Sequence, residues 1–189
     1  MGPGAPPQAR PVDMGLPSGL LWATYNIGAE RPSDTGLYFS WGNVEGHRID
    51  EGYDFSQAVY DTTPAAEISE DLSLSQDAAR ANLGEPWRMP TAAEFQELYD
   101  NCTTVWTKVN GVNGRLFISN VNRNTLFFPA AGYYNGLSHN NRGTIGYYWS
   151  STYNSEVNAF RLNFDQSTVG PQGSSLRRLG FSVRGVCPP

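Results

Sequence analysis

The chain carries two clear hydrophobic rhythms, one of period two and one of helical period. In NAFRLNFD, Phe160, Leu162 and Phe164 fall on one side of an extended chain, and Arg161, Asn163 and Asp165 fall on the other. The pattern predicts a strand with a core face and a displayed polar row. In PTAAEFQELYDNC, Phe95, Leu98, Tyr99 and Cys102 recur at i, i+3, i+4 and i+7, which predicts one apolar stripe on a helix. Thr91 and Glu94 frame its start as a capping box. A shorter helix is predicted over Ser75–Leu83, where Asp77, Ala78, Ala79, Arg80 and Ala81 tolerate helix and Gly84 ends it.

Strand patterns fill the rest. TVWTKVNGVNGRLFISNVNRNTLFFPAAG reads as three strands joined by an Asn-Gly turn and an Asn-rich turn, with the Gly111–Gly114 segment marking a tight hairpin. Three more strand candidates follow from Tyr147. Near the start, VDMGLPSGLLWATYNIGA predicts a hairpin about Pro17-Ser18-Gly19 with Trp22 buried. The cluster Leu37 to Gly42 alternates imperfectly, which predicts partial burial on both faces. Residues 43–73 are polar and acidic and read as a long loop held down by Tyr53, Phe55 and Tyr60. Residues 1–11, with four prolines and two glycines, read as a disordered tail or linker. The prediction is one α+β domain over residues 12–189.

Composition narrows the function. With 13% aromatic and 16% charged residues, 20 Gly and 13 Pro, the chain suits a loop-rich fold of short strands better than a helical bundle. A net charge of -5 argues against nucleic acid as a partner. No apolar run is long enough to insert into a bilayer, and MGPGAPPQARPVD has neither the basic start nor the apolar core of a secretory signal.

Candidate chemistry is sparse. Cys102 and Cys187 match no zinc spacing and are too few for a disulfide scaffold, so two buried free thiols are the simplest expectation. His47 and His139 are too few for a His-rich metal site. The acidic run Glu45 to Asp54 lacks the spacing of a calcium loop. Ser150-Ser151 has no nucleophile elbow around it and is expected to hydrogen-bond locally. No cofactor and no catalytic residue is expected.

The segment Pro129 to Cys187 is different in kind. Blocks of small and aromatic residues, Ala130-Ala131-Gly132, Tyr148 to Ser151 and Gly180 to Arg184, alternate with runs of Asn, Ser, Gly, Tyr, His and Arg. Those runs have the composition of a paratope, where Tyr supplies contact area at low entropic cost and Ser, Gly and Asn supply adaptable hydrogen bonds. Ordinary loop formation accounts for the Gly, Asn and Ser but less well for the tyrosines and arginines among them. Recognition is the expected role.

Together, VDMGLPSGLLWATYNIGA, PWRMPTAAEFQEL, FPAAGYYNG, GYYWSSTYN and RRLGFSVRGVC resemble the Bacteroidetes and Fibrobacter paralogous domains of C-type lectin fold. These are similar to the formylglycine-generating-enzyme-like branch of that fold. Within it, the chain resembles the variable, ligand-binding proteins of diversity-generating retroelements from gut bacteria and their phages. The resemblance implies two helices, twisted antiparallel sheets and a C-terminal strand returning beside the N-terminal one. It also implies a noncatalytic protein on a virion tail or cell surface that binds a protein or glycan on a target cell.

On that resemblance the displayed, diversified set comprises Tyr134, Asn135, Ser138, His139, Asn140, Arg142, Tyr147, Tyr153, Asn154, Asn158, Phe160, Arg161, Asn163 and Asp165. Trp149, Leu162, Phe164, Gly180, Phe181 and Val183 form the framework. Phe160 sits in both descriptions, since its alternation places it on the core side. Tyr134, Tyr147 and Tyr153 are the expected anchors, with Arg142 or Arg161 pairing with carboxylates. The resemblance further implies a disulfide between Cys102 and Cys187, against the alternative of two reduced thiols. A fixed surface or fimbrial adhesin module, or a degenerate enzyme of the formylglycine-generating kind, are the alternative functions.

Overall fold

Residues 10–57 and 67–189 are described by the computed structural model, so Tyr60 and most of the expected tail lie outside the described residues. Strand β1 (Pro11–Asp13) pairs antiparallel with β2 (Leu21–Ala23) across the expected turn, burying Trp22. Pro11 thus belongs to the sheet, and the Arg10 carbonyl accepts from the Thr24 N–H, although both residues had the composition of a tail. On the other side of β2 lies β11 (Val186–Cys187), which brings the two ends of the domain together.

Helix α1 (Ala78–Leu83) is shorter than its sequence signal. Asp77 caps it by accepting from the Arg80 N–H at 2.9 Å, and the preceding Leu74–Gln76 forms a 3₁₀ turn. Helix α2 (Ala92–Asp100) carries the expected capping box: the Glu94 N–H donates to Thr91 Oγ1, and the Thr91 N–H donates to the Glu94 carboxylate. Its stripe is narrower than the periodicity implies. Phe95 and Leu98 are buried, Tyr99 is 37% exposed, and Cys102 already opens the next strand because the helix ends at Asp100.

The predicted three-strand meander is β3 (Cys102–Val109), β4 (Val112–Ser119) and β5 (Thr125–Pro129). Asn110 and Gly111 take φ of 49° and 77°, as a two-residue hairpin with right-handed strand twist requires. Gly114 lies within β4 rather than in the turn. A Cβ there would stand 2.3 Å from the Phe128 carbonyl oxygen.

A short hairpin, β6 (Tyr133–Asn135) with β7 (Ser138–Asn140), leads into the second meander. That sheet, ordered β10-β9-β8, consists of β8 (Gly146–Tyr153), β9 (Asn158–Phe164) and β10 (Val169–Leu176). The molecule is therefore α+β, built of small antiparallel sheets and two helices among the described residues.

Two clusters sandwich β8. On one side Tyr148, Leu162 and Phe164 pack with Phe95 and Leu98 of α2, Trp22, Phe117 and Phe128. On the other, Trp149 and Ala159 pack with Phe39, Trp41, Met89 and Phe181. The aromatic cluster at Leu37 to Gly42 runs between buried layers, so Tyr38, Phe39 and Trp41 are fully buried rather than partly so. Their neighbours alternate: Tyr38 meets Phe55 and Tyr134, while Phe39 and Trp41 meet Trp149 and Phe181.

The core also holds charge. Arg184 is buried without a carboxylate partner among the described residues, donating to Asn26 Oδ1 and to the carbonyls of Ala23, Thr24 and Phe127, with its guanidinium 4.4 Å from the Phe128 ring. Burial lowers its pKa to about 10, so it remains a cation at neutral pH. It joins β2, β5 and the C-terminal segment through backbone oxygens that hydrophobic packing alone would leave bare.

Candidate functional site

The face of the β8–β10 sheet opposite α2 is only partly covered. Cross-strand pairing sets Tyr147 beside Asn163 and Trp149 beside Arg161. Trp149 is fully buried, its ring 4.1 Å from Phe181 and its indole N–H donating to the Phe39 carbonyl at 2.8 Å. Tyr147 stacks on the same Phe181, centroids 4.8 Å apart at 22°, yet stays half-buried. Tyr133 of β6 meets Tyr147 edge-on at 5.2 Å and Phe181 at 6.2 Å. A fixed aromatic shelf results, with Phe181 beneath and two tyrosines at the surface.

Arg161 and Asn163 continue this shelf onto β9. The Arg161 guanidinium carbon lies 5.3 Å from the Tyr147 ring centroid, Nε donates to Ser175 Oγ at 2.8 Å, and Nη1 donates to Asn163 Oδ1 at 2.7 Å. Gly173 and Gly170 are the β10 partners of Arg161 and Asn163. A Cβ on Gly173 would stand 2.1 Å from Arg161 Nη1, and one on Gly170 would stand 2.5 Å from Asn163 Oδ1. The two side chains thus lie across β10 in space that only glycine leaves open. Burial pushes the Arg161 guanidinium and the Tyr147 hydroxyl toward their neutral forms, with each partly offset by the other.

The remaining expected contact residues divide. Asn135, Ser138 and Asn140 lie on the β6–β7 hairpin, which Tyr133 connects to the shelf. Asn135, Ser138, Arg142 and Asn154 are exposed, while Asn140, Tyr153, Asn158, Phe160, Asn163 and Asp165 are half-buried. Arg142 lines a cleft of about 640 Å³ with Asp34, Gly36, Arg48 and Asn113, away from the shelf residues. Tyr153 packs 5.1 Å from the guanidinium of Arg177, which also lies 4.7 Å from the Trp41 ring and donates to the Ser155 carbonyl. The turn between β8 and β9 is pinned by that buried arginine.

Three of the expected contact residues need correction. Tyr134 is not displayed: it is 6% exposed, stacks on Phe55 and His139, and accepts the Asp50 N–H through its hydroxyl. Its neighbour Tyr133 takes the surface position, because successive residues of β6 face opposite ways. His139 is half-buried structure, its Nε2 2.9 Å from the Ala131 carbonyl and 3.3 Å from the Tyr38 hydroxyl. Asp165 closes a turn by accepting the N–H groups of Ser167 and Thr168, and those bonds hold its carboxyl below the usual range.

Phe160 shares the phase of Leu162 and Phe164 but sits outside the packed clusters, half-buried near the start of β9. The serines bond both locally and across the fold: Ser150 Oγ accepts the Thr152 N–H at 3.2 Å and donates to the Phe160 carbonyl at 2.7 Å, and Ser151 Oγ donates to the Pro90 carbonyl at 3.4 Å.

The cysteines are free. Cys187 packs with Ala23 and Trp87, whereas Cys102 packs at the edge of the main cluster; the disulfide that the resemblance implies is absent, and the alternative of two free thiols is what the structure has. Burial raises both thiols, Cys102 to about 11.

The fold and site describe a small α+β protein with an open aromatic and arginine-bearing face, carried on its C-terminal meander. A family model described as a domain of unknown function (DUF8237) matches residues 103–186, the stretch that runs from β3 into β11 and contains the whole face. No curated protein and no solved structure matches the chain. Among the described residues no helix is long and apolar enough to cross a membrane.

Proposed function

We propose that the chain is a noncatalytic ligand-binding protein of C-type lectin fold, and that the outer face of the β8–β10 sheet with the β6–β7 hairpin is its diversified recognition surface. The ligand is a protein or glycan on a target cell, and the protein acts from a virion tail or cell surface, as in the retroelement variable proteins it resembles.

The observation that carries this reading is the shelf itself. Tyr133, Tyr147, Arg161 and Asn163 are held in place by one another and by buried Phe181. Side chains preordered in the free protein lose little entropy on binding, which is what a contact surface gains from rigid aromatic anchors. The adjacent N- and C-terminal strands and the two helices support the lectin-type fold. Burial shifts both thiols away from the thiolate that an oxidase of the formylglycine-generating kind would use, which weighs against that alternative.

Deep sequencing of the gene's 3′ third in natural populations tests the diversified surface. Variation concentrated at Tyr133, Asn135, Asn140, Tyr147, Arg161 and Asn163, with Trp149, Phe181 and Arg184 fixed, is the expected pattern. Variation spread evenly, or none, would leave a fixed adhesin module.

A further inference from the structure

We propose that Arg161 and Tyr147 form a subsite for a single carboxylate of the ligand, an inference that rests on reading the outer face as the binding surface. Most of the other arginines are already engaged; Arg178 is also half-buried without a carboxylate among the described residues, but its Nε is sealed from solvent. Arg88 forms a two-pronged pair with Glu94, Arg80 pairs with Glu85, and Arg31 pairs with Asp34. Arg115 donates to the carbonyls of Asp165 and Gln166, and Arg184 is surrounded by acceptors. Arg161 is half-buried, yet no carboxylate among the described residues pairs with it.

Its geometry is set without being saturated. Of the five guanidinium N–H donors, one on Nε and one on Nη1 are engaged, each by a neutral oxygen. Among the described residues Nη2 has no acceptor, and it is not sealed from solvent. One N–H on Nη1 and two on Nη2 therefore remain, enough for the planar two-point arrangement with a carboxylate that guanidinium favours.

Two further features serve the same end. Gly173 and Gly170 clear the floor on which Arg161 and Asn163 lie, which keeps the guanidinium flat and open above β10. Tyr147 and Tyr133 wall one side with aromatic carbon, able to cover the apolar carbons that carry a carboxylate. The Asp165 charge reaches the Tyr147 hydroxyl, but its carboxylate is held by Ser167 and Thr168 and does not pair with Arg161. With a net charge of -5 the protein as a whole does not attract polyanions, so the subsite selects one local charge.

The test is an NMR titration of the full chain with four probes: N-acetylglutamate amide and its neutral glutamine counterpart, and methyl glucuronide and its neutral glucoside counterpart. Arg161 Nε–H and the backbone amides of Tyr147, Asn163 and Gly173 report binding. At least one acid is expected to bind saturably in the millimolar range, at least tenfold more tightly than its neutral counterpart. Arg161→Gln should weaken that binding tenfold or more. Gly173→Ala keeps the charge but displaces the guanidinium, and should weaken it at least threefold with the chemical shifts of the core unchanged.

Tighter binding of the glutamate probe points to an acidic side chain of a protein, and tighter binding of the glucuronide to an acidic sugar. Equal shifts from acid and neutral probes at these amides would overturn the carboxylate subsite while leaving the face a binding surface. No shift at these amides from any probe would also overturn the subsite, and the face itself is then judged by cell binding of its tyrosine variants.

Discussion

Tyr147 and Trp149 lie two residues apart on β8 and touch the same Phe181, yet one belongs to the face and the other to the framework. Trp149→Ala removes a fully buried indole, which costs about 3–5 kcal/mol in a packed core. It also strips the Phe39 carbonyl of a donor at 2.8 Å, worth about 1 kcal/mol more. Tyr147→Ser removes a half-buried ring whose apolar area is partly in water already, and whose hydroxyl needs no buried partner. Its cost is about 1–2 kcal/mol. The expected gap is therefore roughly 3 kcal/mol. Urea unfolding followed by far-ultraviolet circular dichroism measures it, provided the denaturant slope stays constant. Equal destabilisation by the two variants would refute the division of β8 into framework and replaceable face.

Three further outcomes follow from the packing. Burial raises the Glu94 carboxyl, but bonds from Arg88 and Thr91 outweigh it and the net shift is downward. That stability is fully present above the unfolded value of about 4.3 and is lost as pH falls through the lower folded value. Glu94→Gln should thus cost about 1–2 kcal/mol at pH 7, with the difference from wild type closing in acid; a pH-independent difference in urea midpoints would contradict it. Arg184→Met should cost about 3 kcal/mol, since three buried acceptors and one part-buried acceptor lose their donor, and a neutral or stabilising result would show that the guanidinium's burial cost cancels its bonds. Thiol titration without reductant should count two thiols in urea and slow reaction in the native state, and fewer than two would reinstate a Cys102–Cys187 bond.

The parts of the fold legible in the sequence were those with local chemistry. Thr91 and Glu94 announced α2, Asn110-Gly111 announced the β3–β4 hairpin, and the alternation through Leu162 and Phe164 gave β9 its core face. Arg161 and Asn163 followed from the same alternation and do line the face. Tyr133 and Tyr134 are not distinguishable in the sequence, because a three-residue strand gives no phase and tyrosine suits either side. Cys102 was drawn into the helix because its spacing continued the stripe one turn past Asp100.

The buried polar framework was invisible for a different reason. Arg184, Arg177 and Asn26 are fully or nearly fully buried on backbone and side-chain oxygens far away in sequence, and no hydropathy pattern marks such partners. Likewise, no local pattern marks Gly170 and Gly173. Their use as floor beneath Asn163 and Arg161 appears only once β10 lies beside β9.

Binding of the purified protein to a panel of candidate target cells tests the recognition face most directly, with wild type compared against a Tyr133→Ala/Tyr147→Ala variant and a Tyr99→Ala control on α2. The expected result is saturable binding to a subset of cells that the double variant loses and the Tyr99 variant keeps, all three proteins being folded. Equal binding by the double variant, or binding lost equally in the Tyr99 control, would contradict a recognition surface on the β8–β10 sheet.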